Sequence, residues 1–89
     1  MCSPSHNKET YIASFFSHIG AIRFHRLCRE RNWASKMMPV PRALSSSCGT
    51  CVSYQGDGSL SPEMLSDEVE QIARVTDVGY EVVYRALGV

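Results

Sequence analysis

Two segments rich in aromatic and β-branched residues, one near each end of the chain, constrain its fold more than any other feature. Residues 11–16 run Tyr-Ile-Ala-Ser-Phe-Phe, and residues 80–87 contain two tyrosines and two adjacent valines. Such side chains pack well on a pleated, half-buried surface, so this composition is typical of β-strands. We therefore expect both segments to lie in one sheet.

A helix is predicted after the first of these strands, because apolar residues recur at helical spacing up to about residue 32. Ser17 can cap its first turn, and the small residues Gly20 and Ala21 would let it lie close to a sheet. Cys28 lies on the apolar face of this helix, so we expect it to be a core residue and not a partner of the other cysteines. That face contains Ala21, Phe24, Leu27 and Cys28, whereas Arg23, Arg26 and Arg29 fall on another.

A second helix is predicted from Ser61 to Thr76. Ser61 can cap it, proline follows at the first helical position, and Glu63 places a negative charge in the first turn. Gly79 is expected just beyond its end. Its apolar face would consist of Leu65, Val69, Ile72 and Ala73.

Two more strands are predicted between the helices, at residues 35–40 and 51–54. Pro39 and Pro41 have no backbone N–H to donate, so the end of the earlier strand should lie at an edge or leave the sheet. The order of elements is then β-α-β-β-α-β. It predicts an α+β, ferredoxin-like sandwich with a four-stranded antiparallel sheet and two helices on one face.

A length of 89 residues indicates one domain, which we place at residues 11–89 after a disordered tail at residues 1–10. The core should combine the apolar faces of both helices with Ile12 and Val82. A chain this short buries a limited share of its surface, so homodimer formation is plausible.

The formal net charge is zero, but the charges are divided along the chain. Residues 1–44 carry seven Lys or Arg against two Asp or Glu, and residues 45–89 carry two against seven. This division can steer a partner protein or pair two subunits head to tail, or it can reflect two solvated helix faces of opposite sign. No apolar run is long enough to span a bilayer, and the N-terminus lacks the apolar segment of a secretory signal. We therefore expect a cytoplasmic protein with reduced cysteines and neither a membrane nor a nucleic-acid partner.

The stretch with the clearest chemical potential is the loop after Pro41, where Cys48 and Cys51 are spaced C-x-x-C. A thiolate is the reactive form of cysteine, and it needs N–H donors or positive charge nearby. Arg42 can supply the charge, and the loop can supply donors and room for an incoming sulfur donor. The loop residues concerned are Ser45, Ser46, Ser47 and Gly49.

Three interpretations of this cysteine pair remain open. The first is redox or sulfur-transfer chemistry, in which one cysteine reacts and the other resolves a mixed disulfide or persulfide. The second is a metal site, but zinc needs four ligands, so zinc or an iron–sulfur cluster would require two loops in a dimer. His18 and His25 would approach the loop only by chance of packing. The third is a structural turn, in which case the protein would be a non-catalytic, dimerising interaction module.

Several segments also resemble one family. The segments concerned are residues 11–15, 18–21, 37–42 and 44–49, and the proline-rich segment and the Ser-Ser-x-Cys-Gly loop are the most specific of them. Together they are similar to the selenium/sulfur carrier-like proteins, which are short and bacterial. The resemblance implies transport of activated sulfur or selenium, held as a persulfide or selenosulfide, from a cysteine desulfurase-like donor to an acceptor enzyme. It implies a carrier or accessory protein more than a stand-alone enzyme, with no cofactor of its own.

The resemblance assigns the carrier role to Cys48 and matches Gly49 to the glycine that follows the carrier cysteine. Cys51 matches a position that is not always cysteine in the family. From the residues themselves, we expect Cys48 to be the more exposed and more acidic thiol. Cys51 leads into Val52 and Tyr54, which should pack in the sheet and make Cys51 accessible only when the loop opens.

Overall fold

The computed structural model describes residues 9–44, 48–56 and 67–86. Within these ranges the chain forms five strands and one helix. The elements, in chain order, are β1 (Glu9–Phe15), α1 (His18–Glu30), β2 (Ser35–Pro39), β3 (Thr50–Gly56), β4 (Val69–Thr76) and β5 (Gly79–Arg85).

The five strands form one antiparallel sheet in the order β2-β3-β1-β4-β5. The ferredoxin-like prediction, with four strands and two helices on one face, is therefore wrong. The described residues contain a single helix, α1, which packs on one face of the sheet. No helix of the described part is long and apolar enough to cross a membrane.

The fold prediction is wrong because residues 69–76, predicted as part of a second helix, form strand β4. β4 pairs with β1 on one side and β5 on the other, and its first five residues are buried. A bulge at Glu70 inserts one residue, so Val69 and Ile72 lie opposite Phe15 and Ala13 on the same face. That spacing of three imitates a helix. The predicted helix start at Ser61 and its residue Leu65 lie outside the described residues.

The predicted end of the second helix is instead the turn of the β4–β5 hairpin. Thr76 lies opposite Gly79, and the Thr76 hydroxyl accepts a hydrogen bond from the Val78 N–H at 3.3 Å. Gly79 has a φ of 145°, a conformation that side chains with a Cβ rarely adopt. The prediction of a strand at residues 80–87 agrees with β5, although the residues after 86 lie outside the described part.

The prediction for α1 is confirmed in its cap, its buried face and its close contact with a neighbouring segment. The Ser17 hydroxyl accepts a hydrogen bond from the Gly20 N–H at 3.3 Å. A Cβ placed on Gly20 would lie 2.8 Å from the Cβ of Glu68, so only glycine fits without displacement. The helix covers a buried cluster of Tyr11, Ala13, Phe15, Ala21, Phe24, Cys28, Val52, Tyr54, Val69 and Ile72.

A second, smaller cluster lies on the opposite face of the sheet. It consists of Ile12, Leu44, Cys51 and Ala73, with Met38 and Val40 packed against it. Ile12, expected in one core with the helix face, is buried but on the face opposite α1, and Val82 is 42% exposed. The neighbour Tyr84 packs against the cluster under α1. Val82 lies opposite Ala73 at the outer strand β5, where no further described strand covers it. β1 begins at Glu9, two residues before the predicted domain boundary, and residues 1–8 are outside the described part.

Candidate functional site

The cysteine loop connects β2 to β3, two paired strands of a hairpin. Pro39 lies opposite Thr50 in the last pair of the ladder, and the Val40 N–H donates to the Gly49 carbonyl at 3.1 Å. The Leu44 N–H then donates to the Pro41 carbonyl at 3.0 Å, which closes a turn. Pro39 and Pro41 fix their own φ angles, so the chain leaves the sheet in a defined direction. The sequence predicted that this end of the strand lies at an edge or leaves the sheet. The serines Ser45, Ser46 and Ser47 lie outside the described residues.

Cys48 sits in a bend immediately before β3 and is partly exposed. Beside it, a Cβ built on Gly49 would meet no atom of the described residues within 4 Å. Arg42 is exposed in the turn that precedes the serines. The loop thus presents one thiol to the outside at the point where the chain re-enters the sheet.

Cys51 has a different environment, although it is only three residues away. It lies in β3 with β2 and β1 on its two sides, opposite Met38 and Ser14. Its side chain is fully buried, in the cluster that includes Leu44. The thiol donates to the Pro39 carbonyl at 3.6 Å. Burial raises the pKa of Cys51 from 9.0 to about 11, so this thiol stays protonated at neutral pH.

Cys48 is therefore the more exposed of the two cysteines, as the sequence predicted. No disulfide joins the cysteines in the described part, which are Cys28, Cys48 and Cys51. The assignment of Cys48 and Cys51 to carrier and resolving roles is not tested by these environments and stays a prediction.

Comparison with known protein families gives one match. The model of one protein family, described as "Putative Se/S carrier protein-like", matches residues 10–85. The chain belongs to this family. The matched range runs from β1 to the end of β5 and includes both loop cysteines. The family inferred from the sequence is confirmed, whereas the Ser-Ser-x-Cys-Gly loop as its specific motif stays a prediction. Comparisons with curated proteins and with solved structures gave no match.

In this selenium/sulfur carrier-like chain, Cys28 belongs to the core, as its helical position indicated. It is buried between α1 and the sheet. Burial raises the pKa of the Cys28 thiol to about 11, against an opposing effect of the positive charge on Arg31. Cys28 therefore lies on the opposite side of the sheet from Cys51 and does not extend the loop site.

The histidines of α1 do not join the cysteine loop either. His25 Nδ1 and Ser35 Oγ lie 2.8 Å apart in a hydrogen bond, and His18 is exposed. Among residues 9–44, 48–56 and 67–86, no group of three or more His, Cys, Asp or Glu side chains is placed to hold a metal ion. A metal site built from two loops of a dimer stays an untested alternative.

Two polar residues beside Cys51 were not among the predicted site residues. Ser14 lies directly opposite Cys51 and is fully buried, and within the described part its hydroxyl has no hydrogen-bond partner. Gln71, on the far side of Ser14, is also buried. A buried hydroxyl without a partner costs about 1–3 kcal/mol, so Ser14 requires an explanation. Its only sequence signal is a serine within the otherwise apolar run of residues 11–16.

Proposed function

We propose that this protein carries an activated sulfur or selenium atom on Cys48, between a donor enzyme of the cysteine desulfurase type and an acceptor enzyme. The observation that supports it most directly is the partial exposure of Cys48 at the base of a loop, next to Gly49, whose added Cβ would meet no described residue within 4 Å. Membership of the selenium/sulfur carrier-like family gives independent support.

The loading step conserves atoms and electrons. The thiolate of Cys48 attacks the terminal sulfur of a persulfide on the donor enzyme, and a bond forms between this sulfur and Cys48 Sγ. The bond between the terminal sulfur and the donor's cysteine breaks, and that cysteine leaves as a thiolate. Selenium follows the same course when the donor holds a selenosulfide. In the second transfer, an acceptor thiolate attacks the same atom and releases Cys48.

The environment of Cys51 favours Cys48 as the first residue to react. A donor enzyme must bring its own cysteine close to the receiving thiolate, and a fully buried side chain prevents that approach. The raised pKa of Cys51 also leaves little thiolate at neutral pH. Both the donor and the acceptor must therefore contact the loop near Cys48.

The proposal is tested by incubating the purified protein with a cysteine desulfurase, its pyridoxal phosphate cofactor and cysteine, and measuring the intact mass. We expect the wild type to gain the mass of one sulfur atom and Cys48→Ser to lose most of that gain. Cys51→Ser is the matched control and should still be loaded. No gain on the wild type, or equal loading of Cys48→Ser, would overturn the proposal. A homodimer and a cytoplasmic location stay predictions that this assay does not address.

A further inference from the structure

One row of side chains crosses all five strands on the face of the sheet opposite α1. Directly opposed residues of antiparallel strands point to the same face. The registers place Met38 opposite Cys51, Cys51 opposite Ser14, Ser14 opposite Gln71, and Gln71 opposite Arg85. Arg85 Nη2 donates to Gln71 Oε1 at 3.3 Å, which orients the amide beside Ser14. The three central members, Cys51, Ser14 and Gln71, are buried polar or sulfur-containing groups in the middle of the sheet.

Ser14 is the member of this row whose buried hydroxyl has no hydrogen-bond partner among the described residues. Its side chain is 0% exposed, and no described residue offers its hydroxyl a hydrogen bond. The neighbouring thiol already donates to the Pro39 carbonyl, and a neutral thiol sulfur is only a weak acceptor. An anionic sulfur or selenium at this place would be a far better acceptor, because hydrogen bonds to ionised groups are roughly twice as strong as neutral ones.

We propose that Ser14 and Cys51 form an internal site for the carried atom, in which sulfur or selenium bound to Cys51 accepts a hydrogen bond from Ser14 Oγ. The ligand is the terminal, anionic atom of a persulfide or selenosulfide. This inference rests on the proposed function, because the atom reaches Cys51 from Cys48.

The transfer between the two cysteines requires no oxidant or reductant. The Cys51 thiol gives up its proton as its sulfur attacks the outer sulfur of the Cys48 persulfide. A bond forms between Cys51 Sγ and that sulfur, and the bond from Cys48 Sγ to it breaks. Cys48 leaves as a thiolate and takes up the proton that Cys51 had released. Leu44 must first move away from Cys51, because the two pack in one buried cluster.

A sulfur or selenium atom held between Ser14 and Cys51 would differ in its surroundings from one held on Cys48 in the loop. An atom on Cys48 would lie at a partly exposed position, whereas an atom on Cys51 would be buried in the cluster that includes Leu44. The ladder places Ser14 and Cys51 opposite each other on strands that are both paired on two sides. The Ser14 hydroxyl has no hydrogen-bond partner among the described residues, so it is available to an atom added to the Cys51 sulfur.

The test loads the wild type and Ser14→Ala with inorganic polysulfide and alkylates the products. The extra sulfur is then located by peptide mass spectrometry. Both loop cysteines fall in one chymotryptic peptide, so fragment ions that separate residue 48 from residue 51 decide the position. We expect sulfur on both cysteines in the wild type. In Ser14→Ala, the share on Cys51 should fall roughly tenfold while the share on Cys48 is unchanged, because one charge-assisted hydrogen bond is lost.

Ser53→Ala is the matched control, because Ser53 lies on the same strand as Cys51 and faces the same side, opposite Ile12. It should leave both shares unchanged. A merely structural Ser14 would give a variant with equal or higher melting temperature and an unaltered distribution of sulfur, and that result would overturn the assignment of Ser14.

The wild type alone supplies a test that does not depend on the folding of any variant. Sulfur found on Cys48 and never on Cys51 would overturn the internal site and leave the carrier function in place. Sulfur on neither cysteine, after polysulfide as well as after the desulfurase, would overturn the carrier function itself.

Discussion

Leu44, in the loop, and Cys51, in β3, pack in the same buried cluster, so a loop side chain covers a thiol of the sheet. The other members of that cluster are supplied by strands. Leu44 follows the turn closed by the hydrogen bond from its own N–H to the Pro41 carbonyl. The burial of Cys51 therefore involves a loop residue as well as residues of the sheet.

Truncation of this cover should expose the buried thiol. We expect Leu44→Ala to raise the rate at which iodoacetamide labels Cys51, with a loss of about 2 kcal/mol in the free energy of unfolding. Peptide mass spectrometry of the folded protein gives the rate. Cys28 is the internal control, because it lies on the other face of the sheet and should label no faster. An unchanged rate for Cys51 would show that Leu44 is not its cover.

In the wild type, Cys48 should be labelled faster than Cys51 near neutral pH. Cys48 is partly exposed, whereas the Cys51 thiol is buried and its pKa is raised to about 11. Labelling of Cys51 should increase as the pH approaches that value. Faster labelling of Cys51 at neutral pH would reverse the assignment of the two cysteines.

The same raised pKa predicts a dependence of stability on pH. In the folded state Cys51 holds its proton up to about pH 11, whereas an ordinary thiol releases it near 9.0. The folded chain thus binds more protons in this range, so its stability is full below pH 9 and falls as pH rises toward 11. The loss assigned to Cys51 is about 2–3 kcal/mol. Urea denaturation should show a shallower pH dependence for Cys51→Ala than for the wild type, and parallel curves would contradict this.

Two glycine substitutions should differ in their effect on stability. Gly20→Ala should destabilise the fold by about 1–2 kcal/mol, because the added methyl group would meet Glu68 at 2.8 Å. Gly49→Ala should change stability by less than about 0.5 kcal/mol, since no atom of the described residues lies within 4 Å of its new Cβ. Urea denaturation measures both. Equal effects would mean that α1 is not held close to the segment containing Glu68.

A pair of substitutions tests the corrected fold. Ile72→Ala should cost about 2–4 kcal/mol, because Ile72 is 0% exposed and packs under α1. Val82→Ala should cost less than about 1 kcal/mol, because Val82 is 42% exposed on β5. If Val82→Ala lowered the free energy of unfolding more than Ile72→Ala does, Val82 would belong to the core, as the sequence predicted.

Local sequence patterns predicted α1 and four of the five strands, because caps, helical spacing and strand-forming residues act over a few positions. β4 was missed because its bulge places Val69 and Ile72 on one face at a helical spacing. The different exposure of Cys48 and Cys51 was also predictable from the residues that follow each one. The row that joins Cys51 to Ser14 and Gln71 was not, since it depends on register between strands far apart in the chain.

The position of β3 between β2 and β1 has a consequence for how the site can change under selection. Cys51 is flanked by paired strands and lies in a buried cluster that includes the loop residue Leu44. Substitutions under α1 can therefore change the stability of the sheet without altering the packing at Cys51. A substitution at Leu44 changes both at once, so access to Cys51 and overall stability cannot evolve independently at this position.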